Sequence, residues 1–164
     1  MFDERDRTAL VRLWTDPQVR EFLGGPASAE RVEAMLSKFL TPSVGNPDRV
    51  DYALRDAECL AGVITFSPHT DGGDIEVSYL LLPEWWGRGV MRLGLLDALR
   101  VYAEERQVER VIAETQAANE RSCRLLTRLK FRLDRELVRF GAEQHIYSLA
   151  MPPNELPRYL SQAW

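Results

Sequence analysis

Two periodicities alternate along this chain. From Thr8 to Leu23 the apolar residues Leu10, Leu13, Trp14, Val19, Phe22 and Leu23 recur at roughly helical spacing, interrupted at Asp16-Pro17, where a proline can open a second helical stretch. Gly24-Gly25-Pro26 ends that segment. Ser28 then caps a helix running to Phe39, in which Val32, Met35, Leu36 and Phe39 form an i, i+3, i+4, i+7 stripe. After a loop between Thr41 and Pro47 the period falls to two. Val50 to Arg55, Leu60 to Ser67 and Ile75 to Leu82 read as short strands, separated by Asp56-Ala57-Glu58 and by residues 69–74, the pattern of an antiparallel meander.

The helical period returns from Arg88 to Arg106, with Met91, Leu95, Leu96, Leu99 and Tyr102 on one face. Val108 to Thr115 is predicted as a strand and Asn119 to Leu129 as a helix. Leu133 to Phe140 and His145 to Leu149 make a hairpin turned at Gly141, and residues 152–164 a Pro-rich tail. Helices, then a meander, then alternating helix and strand argue an α+β fold: a mixed, mostly antiparallel sheet covered by helices. At 164 residues, 45% hydrophobic, the chain has apolar material for one core, so a single domain, 1–164 with 152–164 as its tail, is expected.

Charge and cysteine content narrow the function classes. Lys and Arg number 21 against 25 Asp and Glu, a net charge of −4, which disfavours a nucleic-acid groove held by a basic field. The start, Met1 to Arg7, is charged at once and lacks an apolar run of signal or membrane-span length, so no membrane partner is expected and the location is expected to be cytoplasmic. Cys59 and Cys123 are far apart, with no Cys-x-x-Cys and no His at ligand spacing. Two free, buried thiols are expected, with no metal site.

The stretch from Tyr79 to Arg92, Tyr-Leu-Leu-Leu-Pro-Glu-Trp-Trp-Gly-Arg-Gly-Val-Met-Arg, carries the most chemistry. An apolar strand runs through a short turn into a helix whose start holds Gly87 and Gly89. A helix start has four unpaired N–H donors and about half a unit of positive charge, so a di-anionic pyrophosphate fits there without a metal. Glycines let the backbone approach such a ligand, while Arg88 and Arg92 add charge. A plain strand-turn-helix connection would also hold two glycines. A P-loop is excluded because the only two lysines, Lys38 and Lys130, lie outside any such loop, and the dinucleotide fingerprint fails because Arg92 stands where its third glycine belongs.

A second segment, Asn119-Glu-Arg-Ser-Cys-Arg-Leu-Leu-Thr-Arg-Leu-Lys-Phe131, opens a helix at Asn and closes at Phe. Together the two segments resemble the GNAT superfamily of acyl-CoA-dependent N-acetyltransferases, and specifically its RimJ/RimL branch. That branch reads Tyr-x-Leu-x-Pro-x-x-Trp-Gly-x-Gly, matched by Tyr79, Leu81, Pro83, Trp86, Gly87 and Gly89, and later Asn-x-x-Ser and Gly-Phe, matched by Asn119, Ser122 and Phe131. The resemblance spans roughly residues 6 to 150. It departs at Leu93-Gly94, where the branch often has Glu-Ala, and at Lys130, where it has Gly. The family also opens with a strand ahead of the first helix, whereas almost nothing precedes Asp6, so that strand is missing or very short, or the start is late.

The resemblance implies acetyl-CoA as cofactor, held by Tyr79, Leu80, Leu81, Leu82, Trp86, Gly87, Arg88, Gly89, Val90, Met91, Arg92, Asn119 and Ser122. The strand Tyr79 to Leu82 is expected to splay from its neighbour and offer backbone N–H groups to the pantetheine and the thioester carbonyl. Acetyl transfer to an amine also needs a base and an acid. Glu76, a carboxylate in an otherwise apolar strand, stands where many family members carry a water-linked base, and burial would raise its pKa. A half-exposed strand facing solvent explains Glu76 equally well. The Tyr that many members place seven residues after the Asn is here Leu126, so Ser122 is the candidate acid. Capping, with Asn119 as N-cap, accounts for Asn119 and Ser122 as well. His69 and His145 lack a Ser or Cys partner at recognisable spacing.

The expected activity is therefore acetyl transfer to a primary amine, a protein N-terminus or a small molecule, by direct attack on the thioester. A non-catalytic acyl-CoA-binding regulatory module is the alternative. A short N-terminus would leave Val50 to Arg55 as a sheet edge, and an uncovered edge invites pairing; either a second subunit or the tail from Pro152 to Trp164 would cover it, and a homodimer is expected because the tail's prolines suit docking better than strand pairing.

Overall fold

The computed structural model describes residues 2–41 and 48–151, so the tail 152–164 and most of the loop after Thr41 lie outside the described residues. Within them the helices form where the stripes place them. Helix α1 is Arg7–Thr15 and helix α2 is Ala29–Leu40, the latter capped by the Ser28 hydroxyl accepting from the Arg31 amide. The second helical stretch expected after Pro17 does not form. Asp16 C=O accepts from Arg20 N–H at 3.0 Å, one α-turn, after which Gly25 N–H also turns back to Arg20 C=O. Both glycines take positive φ, and the buried Arg20 guanidinium bonds the Leu23 and Gly25 carbonyls, closing the segment on itself instead.

Six strands follow: β1 (Val50–Asp56), β2 (Cys59–Pro68), β3 (Ile75–Leu81), β4 (Arg110–Gln116), β5 (Arg132–Arg139) and β6 (Ala142–Ala150). Between β3 and β5 come helices α3 (Val90–Arg106) and α4 (Glu120–Arg128). They make one open sheet, mostly antiparallel, in the order β1-β2-β3-β4-β6-β5, flanked by helices. Two-residue turns join β1 to β2 and β5 to β6, the second through Phe140 and Gly141, both at positive φ as a primed hairpin turn requires. β3 and β4 pair in parallel. β2 departs from simple alternation: Leu60 to Phe66 are all buried, as a strand covered on both faces requires. β1 lies at one edge, and among the described residues no strand precedes α1.

The described residues divide into two compact units, one of residues up to Thr65 with Tyr79–Met91 and one of Phe66–Ser78 with residues 92–151, the boundaries falling inside β2, β3 and α3. In the first, Leu10, Leu13 and Trp14 of α1 meet Val32, Leu36 and Phe39 of α2 in a core that also takes in Leu60, Val63 and Leu82. In the second, Phe66 and Tyr102 stack with ring centroids 4.1 Å apart, and Leu95, Leu99, Ile112, Leu126 and Ile146 are fully buried. The thiols are free but not buried as expected: Cys59 is exposed because it follows directly on the β1-β2 turn, and Cys123 is half-buried. Among the described residues no helix is long and apolar enough to cross a membrane.

Candidate active site

β3 leaves the sheet at Leu82, and a single 3-10 turn (Pro83–Trp85) leads to the glycines. The turn is fixed from three sides. The Trp86 indole N–H donates to the Leu81 carbonyl at 2.8 Å, Trp85 packs on the α1-α2 core, and Glu84 receives both guanidinium N–H groups of Arg12 at 2.7 and 2.9 Å. Gly87 and Gly89 take φ of +73° and +77°, and a Cβ at either would meet nothing within 4 Å. Their glycine character is thus demanded by backbone conformation, and the space beside them is open. Arg88 is exposed, its guanidinium 5.3 Å from the Trp85 ring centroid, and Arg92 is exposed on the first turn of α3. Leu82 and Met91 are buried, so their side chains belong to the core. The Leu82 amide donates to Ala61, 2.9 Å away.

The strand before the turn is shaped by its neighbour. Gly62 on β2 faces Leu80 and Leu81 so closely that a Cβ there would overlap the Leu80 carbonyl oxygen. Only glycine lets β3 run this near. On its other side the parallel ladder to β4 comprises Ile75↔Val111 and Glu76↔Ile112; Val77 and Ser78 do not continue it.

Glu76 stands where that ladder stops. Its carboxyl is held above the ordinary range, first by burial and then by the nearby negative charge of Glu114; His69, the Glu114 amide and the Ser78 hydroxyl, 3.5 Å away, act in the opposite sense. His69, expected in a polar loop, is instead buried, its side chain 1% exposed. Its Nε2 lies 3.0 Å from Glu114 Oε2, and its Nδ1 accepts from the Asp71 amide at 3.3 Å. Arg139 joins the same group, with Nε 3.0 Å from Glu114 Oε1 and two N–H groups on Asp71 at 2.8 and 3.1 Å. The Arg139 Nε and Glu114 Oε1 atoms face each other off the hydrogen-bond axis, so that contact is an ion pair.

Asn119 caps α4: its Oδ1 accepts from the Ser122 amide at 3.2 Å, and Ser122 is buried. Capping therefore holds. Beside Ser122, Cys123 contacts the phenol of buried Tyr147, whose pKa is pushed up to about 12 by burial and by that neighbour. On the last hairpin, Glu136, Glu143 and His145 bring ligand-type atoms within 4.8 Å of one another, but the two carboxylates are exposed and His145 Nε2 is already 3.4 Å from Glu136, an arrangement an ion pair explains.

Residues 1–132 match the family model described as an acetyltransferase (GNAT) domain. The chain belongs to the GNAT acetyltransferase family. Solved structures share its fold. Spermidine N-acetyltransferase from Vibrio cholerae, in complex with CoA and spermine, superposes with a TM-score of 0.75 at 12% identity, over 91% of this chain and 92% of that one. The aminoglycoside acetyltransferase AAC(6')-Ib in complex with coenzyme A gives 0.72 at 13% over 92% of each. RimL, the ribosomal L7/L12 α-N-protein acetyltransferase, gives 0.69 at 19%, over 90% of this chain and 86% of that one.

Acetyl-coenzyme A is the acyl donor of the GNAT family. The turn of this GNAT chain fits a pyrophosphate: open space at two positive-φ glycines, a helix start and two exposed arginines. Sequence reasoning missed His69, Glu114 and Arg139. Glu114 carried a usable signal, since like Glu76 it is a carboxylate inside an apolar strand, Val-Ile-Ala-Glu. Nothing local marks the pairing of residues 45 apart.

Proposed function

We propose that this GNAT protein is an acetyl-coenzyme A-dependent N-acetyltransferase of the RimJ/RimL-like branch, a single domain acting on a primary amine of a protein N-terminus or a small molecule. One observation carries the reading: a single strand, β3, bears a half-buried carboxylate, Glu76, and runs at its other end into the glycine turn. Bound acetyl-coenzyme A supplies an activated acetyl thioester. Gly87, Arg88, Gly89, Val90, Met91 and Arg92 hold its pyrophosphate through amides and arginine charge, with Trp86 bracing the turn. Tyr79, Leu80 and Leu81 offer main chain to the pantetheine and acyl carbonyl, whereas the amide and carbonyl of Leu82, also expected there, are taken by Ala61 and Trp85.

Glu76 takes the proton of the incoming ammonium through water, for which a carboxylate with a raised pKa is better matched than an ordinary one. As the C–S bond breaks, Ser122 passes a proton to the departing thiolate and regains one from the nitrogen of the tetrahedral intermediate, and Asn119 positions the pantetheine. Thiol release from acetyl-CoA with a panel of primary amines tests this. Glu76→Gln is expected to lower kcat by about 10²- to 10⁴-fold with coenzyme A affinity near wild type, and Ser122→Ala to act more mildly because water can replace the hydroxyl. Full kcat in Glu76→Gln removes the base, and coenzyme A binding without turnover on any amine returns the non-catalytic module.

A homodimer is part of the proposal, supported by β1 standing at the sheet edge with no strand on its outer side among the described residues. Light scattering at micromolar concentration should give twice 18.8 kDa. A single 18.8 kDa species would rule the dimer out.

A further inference from the structure

The buried group around Glu114 stands outside every residue assigned above. Glu114 follows by two residues Ile112, the register partner of Glu76, so in parallel strands Glu76 and Glu114 project from the same sheet face. Glu114 also acts on Glu76 directly, since its negative charge lies near enough to oppose ionisation there. Both Glu114 oxygens are themselves held, Oε2 by His69 Nε2 and Oε1 by Arg139 Nε, each at 3.0 Å. The Asp71 amide occupies His69 Nδ1, which leaves Nε2 as the ring nitrogen that meets Glu114. Asp71 then closes the ring by binding the far side of Arg139, with Arg135 3.9 Å away. The Glu114 side chain is 11% exposed and that of His69 1%, so neither can reorient without losing buried partners.

We infer that Glu114 is a positioning residue for Glu76, and that His69 and Arg139 serve to keep its carboxylate fixed beside that base. This rests on the reading of Glu76 given above. The groups facing Glu76 are His69 from the β2-β3 connection, Glu114 from β4 and Arg139 from β5, with Ser78 on its own strand. A purely structural ring would anchor the terminal hairpin and leave the titration of Glu76 where it is. A positioning ring makes that titration depend on Glu114.

The test follows the Glu76 side-chain carboxyl carbon against pH in full-length ¹³C-Glu protein, its signal assigned by its loss in Glu76→Gln. Glu114→Gln removes the charge and keeps the side-chain shape, so the Glu76 midpoint should fall by about half a pH unit or more. His69→Leu should shift it as well, because Glu114 Oε2 then loses the partner that fixes it. His69→Gln, which keeps a donor, should restore the wild-type midpoint. An unmoved midpoint in folded Glu114→Gln, alongside an inactive Glu76→Gln, overturns this inference alone. Full activity in Glu76→Gln sinks the base reading instead. If Glu114→Gln does not fold, the two His69 variants decide: a shift in Leu reversed in Gln supports the inference, and equal midpoints overturn it.

Discussion

The turn from Leu82 to Gly89 and the ring around Glu114 are built from different parts of the chain. The turn works through backbone: two left-handed glycines, a helix start and an indole clamp between residues five apart. The ring works through side chains drawn from three separate segments, the β2-β3 connection, β4 and β5. A backbone device presents amides that bind any well-placed anion, and it needs few particular side chains. A side-chain ring in a low-dielectric setting tunes the protonation of one neighbour and fails if a single partner is lost. Recognition of a cofactor shared by a whole family suits the first kind of construction, while adjustment of one base suits the second.

Gly89→Asp should break the comparison on the side of the turn most severely. A left-handed φ costs an L-residue about 1–2 kcal/mol, and a carboxylate placed against phosphate adds repulsion, so coenzyme A affinity should fall about 100-fold or more. Gly89→Ala, with the strain and without the charge, should cost about tenfold. Calorimetry measures both, and binding should be indifferent to magnesium. Wild-type affinity in Gly89→Asp would remove the turn from the cofactor site.

The same division explains what could be read from sequence. The Tyr79 to Arg92 stretch was legible because every constraint in it is local: glycine spacing, a proline at the start of the turn, a helix that follows. Asn119 as N-cap was legible for the same reason. The stretch after Pro17 misled because its apolar spacing was helical while Gly24 and Gly25 take positive φ and the Arg20 side chain bonds the carbonyls beside them. His69 was passed over because a histidine among Pro, Thr, Asp and Gly looks like loop, and its partner Glu114 lies 45 residues away. Gly62 was silent as well. Its need for a missing Cβ comes from Leu80 on the neighbouring strand.

Lys130 offers the finest test of how firmly local backbone rules hold here. It follows α4 at φ +68°, and the hydrogen bonds around it are those of a Schellman cap: the Lys130 amide to Thr127 C=O and the Phe131 amide to Leu126 C=O, both 3.0 Å. The resemblance placed glycine at this position, and the conformation shows why. Replacing Lys by Gly relieves about 1–2 kcal/mol of left-handed strain and gives back about 0.5–1 kcal/mol through the freer unfolded chain. Loss of a cation at a helix C-terminus costs up to about 0.3–1 kcal/mol more. Lys130→Ala loses the same charge and keeps the strain, so the comparison of Gly with Ala isolates the backbone contribution. Lys130→Gly should be more stable than Lys130→Ala by about 1 kcal/mol in denaturant unfolding, with wild type between them or level with Gly. A glycine variant less stable than the alanine variant would mean that this cap does not govern the end of α4, and that the buried Leu126, Leu129 and Phe131 hold it by packing alone.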